Sequence, residues 1–541
     1  MKKLGYITTI VASLFMMSGC SDFLDEELKG SLAPENTYTS THGFEVGITG
    51  LYDYARAEWT PWAGDDDTFV HGTGCPYETL QIATDLAVTG HNDATLLTFD
   101  NLSFTAQSDP VNSFWKYGYG MVANANQILE YSEHSDVAWD KPTDKIGFQA
   151  EARFFRAYAY RYLVYLYGDV PYVDKVERDF RVDFTRTPKA EVLKYMIEDL
   201  KFAAANLPDD PDAVQPGRLT KWAALHLLSE VYLMAGMNTE AEAAAQEVID
   251  SRKFELMKDR FGTHTKEPGD PFSDLFKENN QNRTSGNKES IWVIQLEYNT
   301  LGGGGESKDW TKRAWVPKYW DIPGFVIADS LGGRGLAQLE GLPWWIGKNS
   351  HFFDPNDMRN SQYNIKRDWW YNDPSVPELY GKKAEYTQEL VDAGKLCPVI
   401  TKFFYGVIDK GGDEGYGGCT KDRMKFRLSE TYLLLAEALM NQNRLDEAAA
   451  AINVVRSRAH ANDITGAQVN KDFLADERIR ELAGEEQRRF TLSRLGLLKE
   501  RILKYNTHAA PRWDDRYLLW PIPQNIIDSN TGADFPQNPG W

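Results

Sequence analysis

Residues 150–171, AEARFFRAYAYRYLVYLYGDVP, constrain the fold more than any other stretch of the chain. From Glu151 to Tyr167 nothing breaks a helix. Aromatic or aliphatic side chains stand at 154, 155, 158, 160 and 162–167. They cover nearly the whole circumference, so such a helix has to be buried on most sides. Gly168 is placed to close the last turn. Pro171 stops any continuation and holds Val170 extended. A helix this aromatic requires other helices packed around it.

The remaining chain supplies them. Apolar periodicity predicts helices over Phe44–Arg56, Ser113–Ser132, 146–167, Pro188–Ala205, Lys221–Met234 and Thr239–Ser251. Downstream it predicts Phe426–Gln442, Leu445–Arg458, Lys471–Leu482 and Glu485–Ile502. Helix pairs with small or aliphatic contacts such as Leu433, Ala436 and Ala438, at periods of roughly 34 residues, suit tetratricopeptide-like stacking. Residues 254–422 differ. They are rich in Gly, Pro, Asn, Asp and Trp, with short strand-like pieces at Ser290–Leu296 and Val399–Phe404. The expected fold is therefore mainly α: a tetratricopeptide-like helical-pair body with a large irregular, loop-rich insertion carrying short strands. The expected parts are an N-terminal helical part at 44–253, the insertion at 254–422, and a C-terminal helical part and tail at 423–541. Residues 58–110 read as a long loop, and loops of that length tend to be functional.

Lys2 and Lys3, the apolar run Leu4–Met17, and Met17-Ser18-Gly19-Cys20 read as a secretory signal over residues 1–19. The pattern is similar to a bacterial lipoprotein signal, with lipid attached to the sulfur of Cys20. Residues 20–43 read as a polar tether, with Asp22, Asp25, Glu26 and Glu27 just past the anchor. The formal net charge of −20 argues against nucleic acid as a partner. Beyond the signal are Cys75, Cys397 and Cys419, an odd number. Cys397 and Cys419 bracket a Gly-rich stretch and could bridge it; their spacing leaves this open. The absence of a CxxC pair argues against structural zinc.

No HExxH, GxSxG or Walker pattern occurs, and Leu301–Gly305 lacks the Lys-Ser/Thr of a phosphate loop. The aromatic clusters say more. With 16 Trp, the chain has more stacking surface than a core requires. Trp59 and Trp62 flank Pro61. Trp310, Trp315 and Trp320 recur every five residues, beside Tyr319. Trp344-Trp345 and Trp369-Trp370-Tyr371 are adjacent, and on extended chain neighbouring rings point to opposite sides. Sugar rings stack on aromatic faces while their hydroxyls take polar partners. The alternative for each Trp is to anchor the insertion on the helical body. The acidic runs Asp65–Asp67 and Asp409–Glu414 lack EF-hand spacing. Asp409, Asp413 and Glu414 remain weak candidates for structural calcium, with solvated charge the plainer reading. Arg488, Arg489 and Arg494 are expected to pair with Glu481, Glu485 and Glu486.

The central helix with its YGDVP exit at 167–171 resembles the SusD/RagB family. So do FRLSETYLLLAEALMNQNRLDEAAAAINVVRSR at 426–458 and ERIRELAGEEQRRFTLSRLG at 477–496. The ending RYLLWPIPQNIIDSNTGADFPQNPGW at 516–541, with PIP at 521–523 and QNPGW at 537–541, does too. The matches run from the lipid Cys to the last residue in the family's order. Thr491-Leu492 departs from the family's acidic-aliphatic pair. The resemblance implies a cell-surface lipoprotein of the outer membrane with no catalysis and no cofactor. Such proteins capture glycans, or sometimes peptides, and act as the lid of a SusC-like TonB-dependent transporter. Their repeat side meets the transporter, and their irregular side holds the ligand. By region, the resemblance nominates Trp59, Trp62, Asp85, Tyr298, Trp310, Trp315, Trp320, Trp344 and Trp345 as ligand contacts. The rival classes are a surface glycoside hydrolase using two carboxylates and a pure protein scaffold.

Overall fold

The computed structural model describes residues 34–59, 76–90, 94–298, 300, 304–305, 309, 311–405 and 418–541. Its main helices among these residues are α1 (Thr41–Arg56), α2 (Asp109–Tyr131), α3 (Asp144–Tyr167), α4 (Lys189–Asn206), α5 (Lys221–Met234) and α6 (Asn238–Asp250). After the insertion come α7 (Leu428–Asn441), α8 (Leu445–Arg458), α9 (Lys471–Leu482), α10 (Arg488–Leu495) and α11 (Leu498–Tyr505).

The aromatic stretch forms α3. Every residue from Phe154 to Tyr167 is buried, with α1, α2 and α4 packed around it. Gly168 ends the helix at a φ of 75°, and its amide donates to the Val164 carbonyl. Two buried cations interrupt the apolar surface. Arg156 makes a two-pronged ion pair with Asp199 of α4, both contacts at 2.8 Å. Arg161 does the same with Glu230 of α5, at 2.8 and 3.0 Å. Planar guanidinium–carboxylate geometry satisfies both charges away from water. These pairs fix how α4 and α5 sit on α3.

The stack then runs α4 on α5, α5 on α6, and α6 directly on α7. The insertion leaves the body after α6 and returns before α7 without disturbing the repeat. Its neck is a two-stranded antiparallel sheet, Ser290–Ile294 with Arg423–Arg427. Trp292 lies opposite Phe426 there. Phe154, Phe155 and Tyr158 of α3 meet Trp292 edge-on, with centroids 5.4, 6.1 and 5.5 Å away. The central helix thus supports the neck of the insertion directly.

Helix boundaries differ from the sequence expectation at several points: α1 begins at Thr41 rather than Phe44, and α2 at Asp109 rather than Ser113. Phe426 and Arg427 belong to the neck strand, so α7 begins at Leu428. The expected helix Glu485–Ile502 is two helices. Gly496 adopts the left-handed conformation (φ 71°, ψ 25°) and caps α10 before α11 begins. Cys397 and Cys419 are buried free thiols, so the bridge left open above does not form.

A buried ionic clamp on α9 joins insertion, neck and body. Glu477 and Glu481 stand one turn apart. Glu477 accepts from Arg359 of the insertion at 2.9 Å and from Arg456 of α8 at 2.7 Å. Glu481 accepts from Arg359, from Arg427 of the neck and from Arg458 of α8. Burial alone would raise the Glu477 carboxyl. Arg359, Arg480 and Arg456 outweigh it and hold the group down to about 2.

Candidate functional site

Most of the nominated aromatics that can be placed turn inward. Trp59 is buried, with the Lys425 ammonium 4.9 Å from its ring centroid. Trp315 is buried too. Its indole N–H donates to the Tyr77 hydroxyl at 3.0 Å and its ring stacks on Phe403. Pro343 opens a single helical turn, Pro343–Ile346, so Trp344 and Trp345 are not on the extended chain expected. Both indoles point back to one loop: Trp344 donates to the Asp85 carbonyl and Trp345 to the Leu86 carbonyl, each at 2.8 Å. Trp345 is fully buried. Trp344 is half-buried and stacks on Tyr505 of α11, centroids 4.0 Å apart.

Asp85 is also corrected from ligand group to anchor. Its carboxylate is buried between Arg488 and Arg501. Burial would raise its pKa, but Arg488 and then Arg501 hold it below the usual range. Asp85, Trp59, Trp315 and Trp345 therefore tie the 76–90 loop and the insertion to the body; they offer a ligand no surface. Of the expected arginine pairings, Arg488–Glu486 forms. Arg494 instead meets Glu230 and Glu437. Arg489 donates to the Tyr517 carbonyl and lies against Trp520. Trp320 remains half-exposed. Its N–H is spent on the Gly335 carbonyl, and Lys318 and Arg334 lie 5.1 and 5.0 Å from its centroid. Tyr298 pairs through its backbone with Gly305. Cys20, Trp62, Asp65–Asp67, Trp310, Asp409, Asp413 and Glu414 lie outside the described residues.

An exposed aromatic surface lies on a hairpin that was not nominated; separately, Phe180 in the loop between α3 and α4 is 91% exposed. Trp370 bridges antiparallel to Lys383, and the Ala384 amide donates to the Trp369 carbonyl. Trp369 points inward. It is fully buried, donates to the Cys397 carbonyl at 3.2 Å and stacks on Tyr319. Tyr319 and Tyr371 both pack against Phe325, which completes an inner aromatic layer. Trp370, on the opposite side of the strand, is 46% exposed. Tyr380 is 57% exposed and Val326 41%. Asn372 exchanges hydrogen bonds with the Val326 backbone, at 2.9 and 3.0 Å, and fixes that edge to the hairpin. Buried rings thus hold other rings out in water. A rigid, solvent-facing indole offers a flat apolar face for a ligand ring. The sequence signal was the adjacent Trp369-Trp370 pair, read through strand alternation.

A concave feature lies on the helical side. This groove of about 490 Å³ is lined by Trp115, Tyr119, Val173, Phe184, Ile526 and Phe535, among others. It contains no nominated residue.

Residues 73–233 match a family described as "Starch-binding associating with outer membrane", and residues 274–541 match the SusD family. A SusD-like protein of Formosa agariphila is 28% identical over 563 residues, covering all of both chains. Among solved structures, a laminarin-binding SusD-like protein has 22% identity and a TM-score of 0.68. The match covers 92% of this chain and 99% of that one. Surface glycan-binding protein A of Bacteroides thetaiotaomicron, in complex with laminarihexaose, has 20% identity and a TM-score of 0.70. That match covers 92% of this chain and all of the other. The helical-pair body, the loop-rich insertion and the C-terminal tail place this chain in the SusD/RagB family.

Proposed function

We propose that the chain captures an oligosaccharide or polysaccharide at the cell surface, without catalysis, and passes it to a SusC-like TonB-dependent transporter as its lid. In this reading the lipid on Cys20 anchors it to the outer membrane. The relatives named for laminarin and starch support the ligand class. The observation that carries the reading is the Trp370 ledge: an exposed indole on a hairpin whose adjacent indole, Trp369, is locked inside. Stacking of a sugar face on such a ring, with hydrogen bonds at its edge, gives retention without bond cleavage.

Native affinity electrophoresis against a panel of defined polysaccharides tests this, alongside a reducing-end assay on the same mixtures. Retardation by at least one polysaccharide with no new reducing ends is the expected result. Release of reducing ends would establish a hydrolase instead. The apolar groove beside Trp115 and Phe184 favours one second reading, capture of a peptide with apolar side chains. A peptide library retained while every glycan fails would support it.

A further inference from the structure

The Trp370 face carries a charge pattern opposite to that of the chain. The whole sequence holds 59 Lys and Arg against 79 Asp and Glu. Along the hairpin strand, Lys366, Asp368 and Trp370 alternate with Ile365, Arg367 and Trp369, and side chains two apart share a face. Lys366 Nζ reaches both indoles, 5.0 Å from the Trp369 ring centroid and 5.7 Å from that of Trp370. Lys383, directly across from Trp370, places its Nζ 3.0 Å from Asp368 Oδ1. Lys348 reaches the same oxygen at 3.2 Å.

Asp368 is therefore shared between two ammonium groups, and Lys366 has no carboxylate at ion-pair distance among the described residues. Burial pulls the Lys366 pKa down, and Asp368 offsets this only in part. Glu385, two residues beyond Lys383, is exposed. Lys366 and Lys383 thus border an exposed indole, while Asp368 is held by Lys383 and Lys348. The Asp368 pairs are half-exposed, so they are weak and a ligand anion can compete for them.

We propose that the ledge takes an anionic glycan, whose sugar face lies on Trp370 and whose carboxylate or sulfate groups meet Lys366 and Lys383. This rests on the glycan-binding reading above and narrows its substrate class. A sugar's substituents project from the edge of its ring, so cations bordering the indole meet them without displacing the stack. The rest of the surface works as a filter. At −20 the chain repels polyanions in general, so retention of one has to come from a local site.

The test is native affinity electrophoresis of the purified chain in gels containing polygalacturonate (carboxylate), carrageenan (sulfate ester) or laminarin (neutral). The wild type, Trp370→Ala and Lys366→Gln/Lys383→Gln are run in parallel, after thermal melts show that the variants fold as the wild type does. The proposal expects retardation in at least one anionic gel, weakened by added NaCl, with affinity falling about tenfold in each variant. Which anionic gel retards the chain distinguishes carboxylate from sulfate. Retardation by laminarin alone, or equally by all three, would overturn the anionic class and leave glycan binding standing. Retardation in an anionic gel that both variants retain would overturn the site. No retardation by any glycan would overturn the parent reading, and this inference with it.

Discussion

The inner edge of the insertion and its outer hairpin are equally rich in tryptophan and use it in opposite ways. At the inner edge, Trp344 and Trp345 sit on one helical turn and send both indole N–H groups to carbonyls of the 85–86 loop. At the outer hairpin, Trp369 and Trp370 sit on extended chain, and one ring goes in while the other stays out. Aromatic composition therefore does not separate an anchor from a stacking surface. Local backbone does: a turn opened by Pro343 aims neighbours at the same partner, whereas a strand divides them.

The largest losses are expected at the anchor. Glu481→Ala removes the one carboxylate that Arg359, Arg427 and Arg458 all meet, and loss of one partner from a buried pair costs about 3–5 kcal/mol. Urea denaturation should show that loss, and a change below about 1 kcal/mol would mean that the clamp contributes little. Trp345→Ala should cost a similar ~3–5 kcal/mol through the cavity it leaves, whereas Trp370→Ala should stay within about 0.5 kcal/mol of wild type. Equal losses from the two would erase the distinction.

Acid titration sharpens the same contrast. The Glu477 carboxyl is held down to about 2 from an ordinary 4.5. Its contribution, on the order of 3 kcal/mol, is present above pH 4.5 and disappears as pH falls toward 2. Glu340 behaves in the opposite sense. Burial, then Asp392, pushes its carboxyl up to about 7. The folded state there binds the proton more tightly, so stability declines as pH rises from about 4.5 through 7. Glu340→Gln should be more stable than wild type at pH 8, by about 1–3 kcal/mol, and indistinguishable from it near pH 4. On binding, Trp370→Ala should weaken glycan affinity about tenfold, ~1.4 kcal/mol.

The helical body was legible in the sequence because its apolar period is local. α5, α8 and α9 occupy the ranges the pattern predicts, and α3 announces itself by an aromatic surface that only other helices can cover. The candidate site was legible only in kind. Asp85 reads as a polar loop residue until Arg488 and Arg501, some four hundred residues away, close on it. Trp315 reads as a sugar platform until Tyr77 and Phe403 cover it. Those contacts are long-range, and no local pattern encodes them. Trp370 carried a local signal, the adjacent pair, which points to an exposed ring where the chain is extended; the same pair at Trp344-Trp345 sits on a helical turn and does not.

The central claim is that the outer hairpin holds the glycan and everything beneath it holds the hairpin. The most direct test is the affinity of Trp370→Ala for whichever polysaccharide retards the wild-type chain in native electrophoresis. Trp370→Ala should lose about tenfold in affinity with an unchanged unfolding midpoint. Wild-type affinity in that variant would contradict it and move the ligand to another face of the molecule.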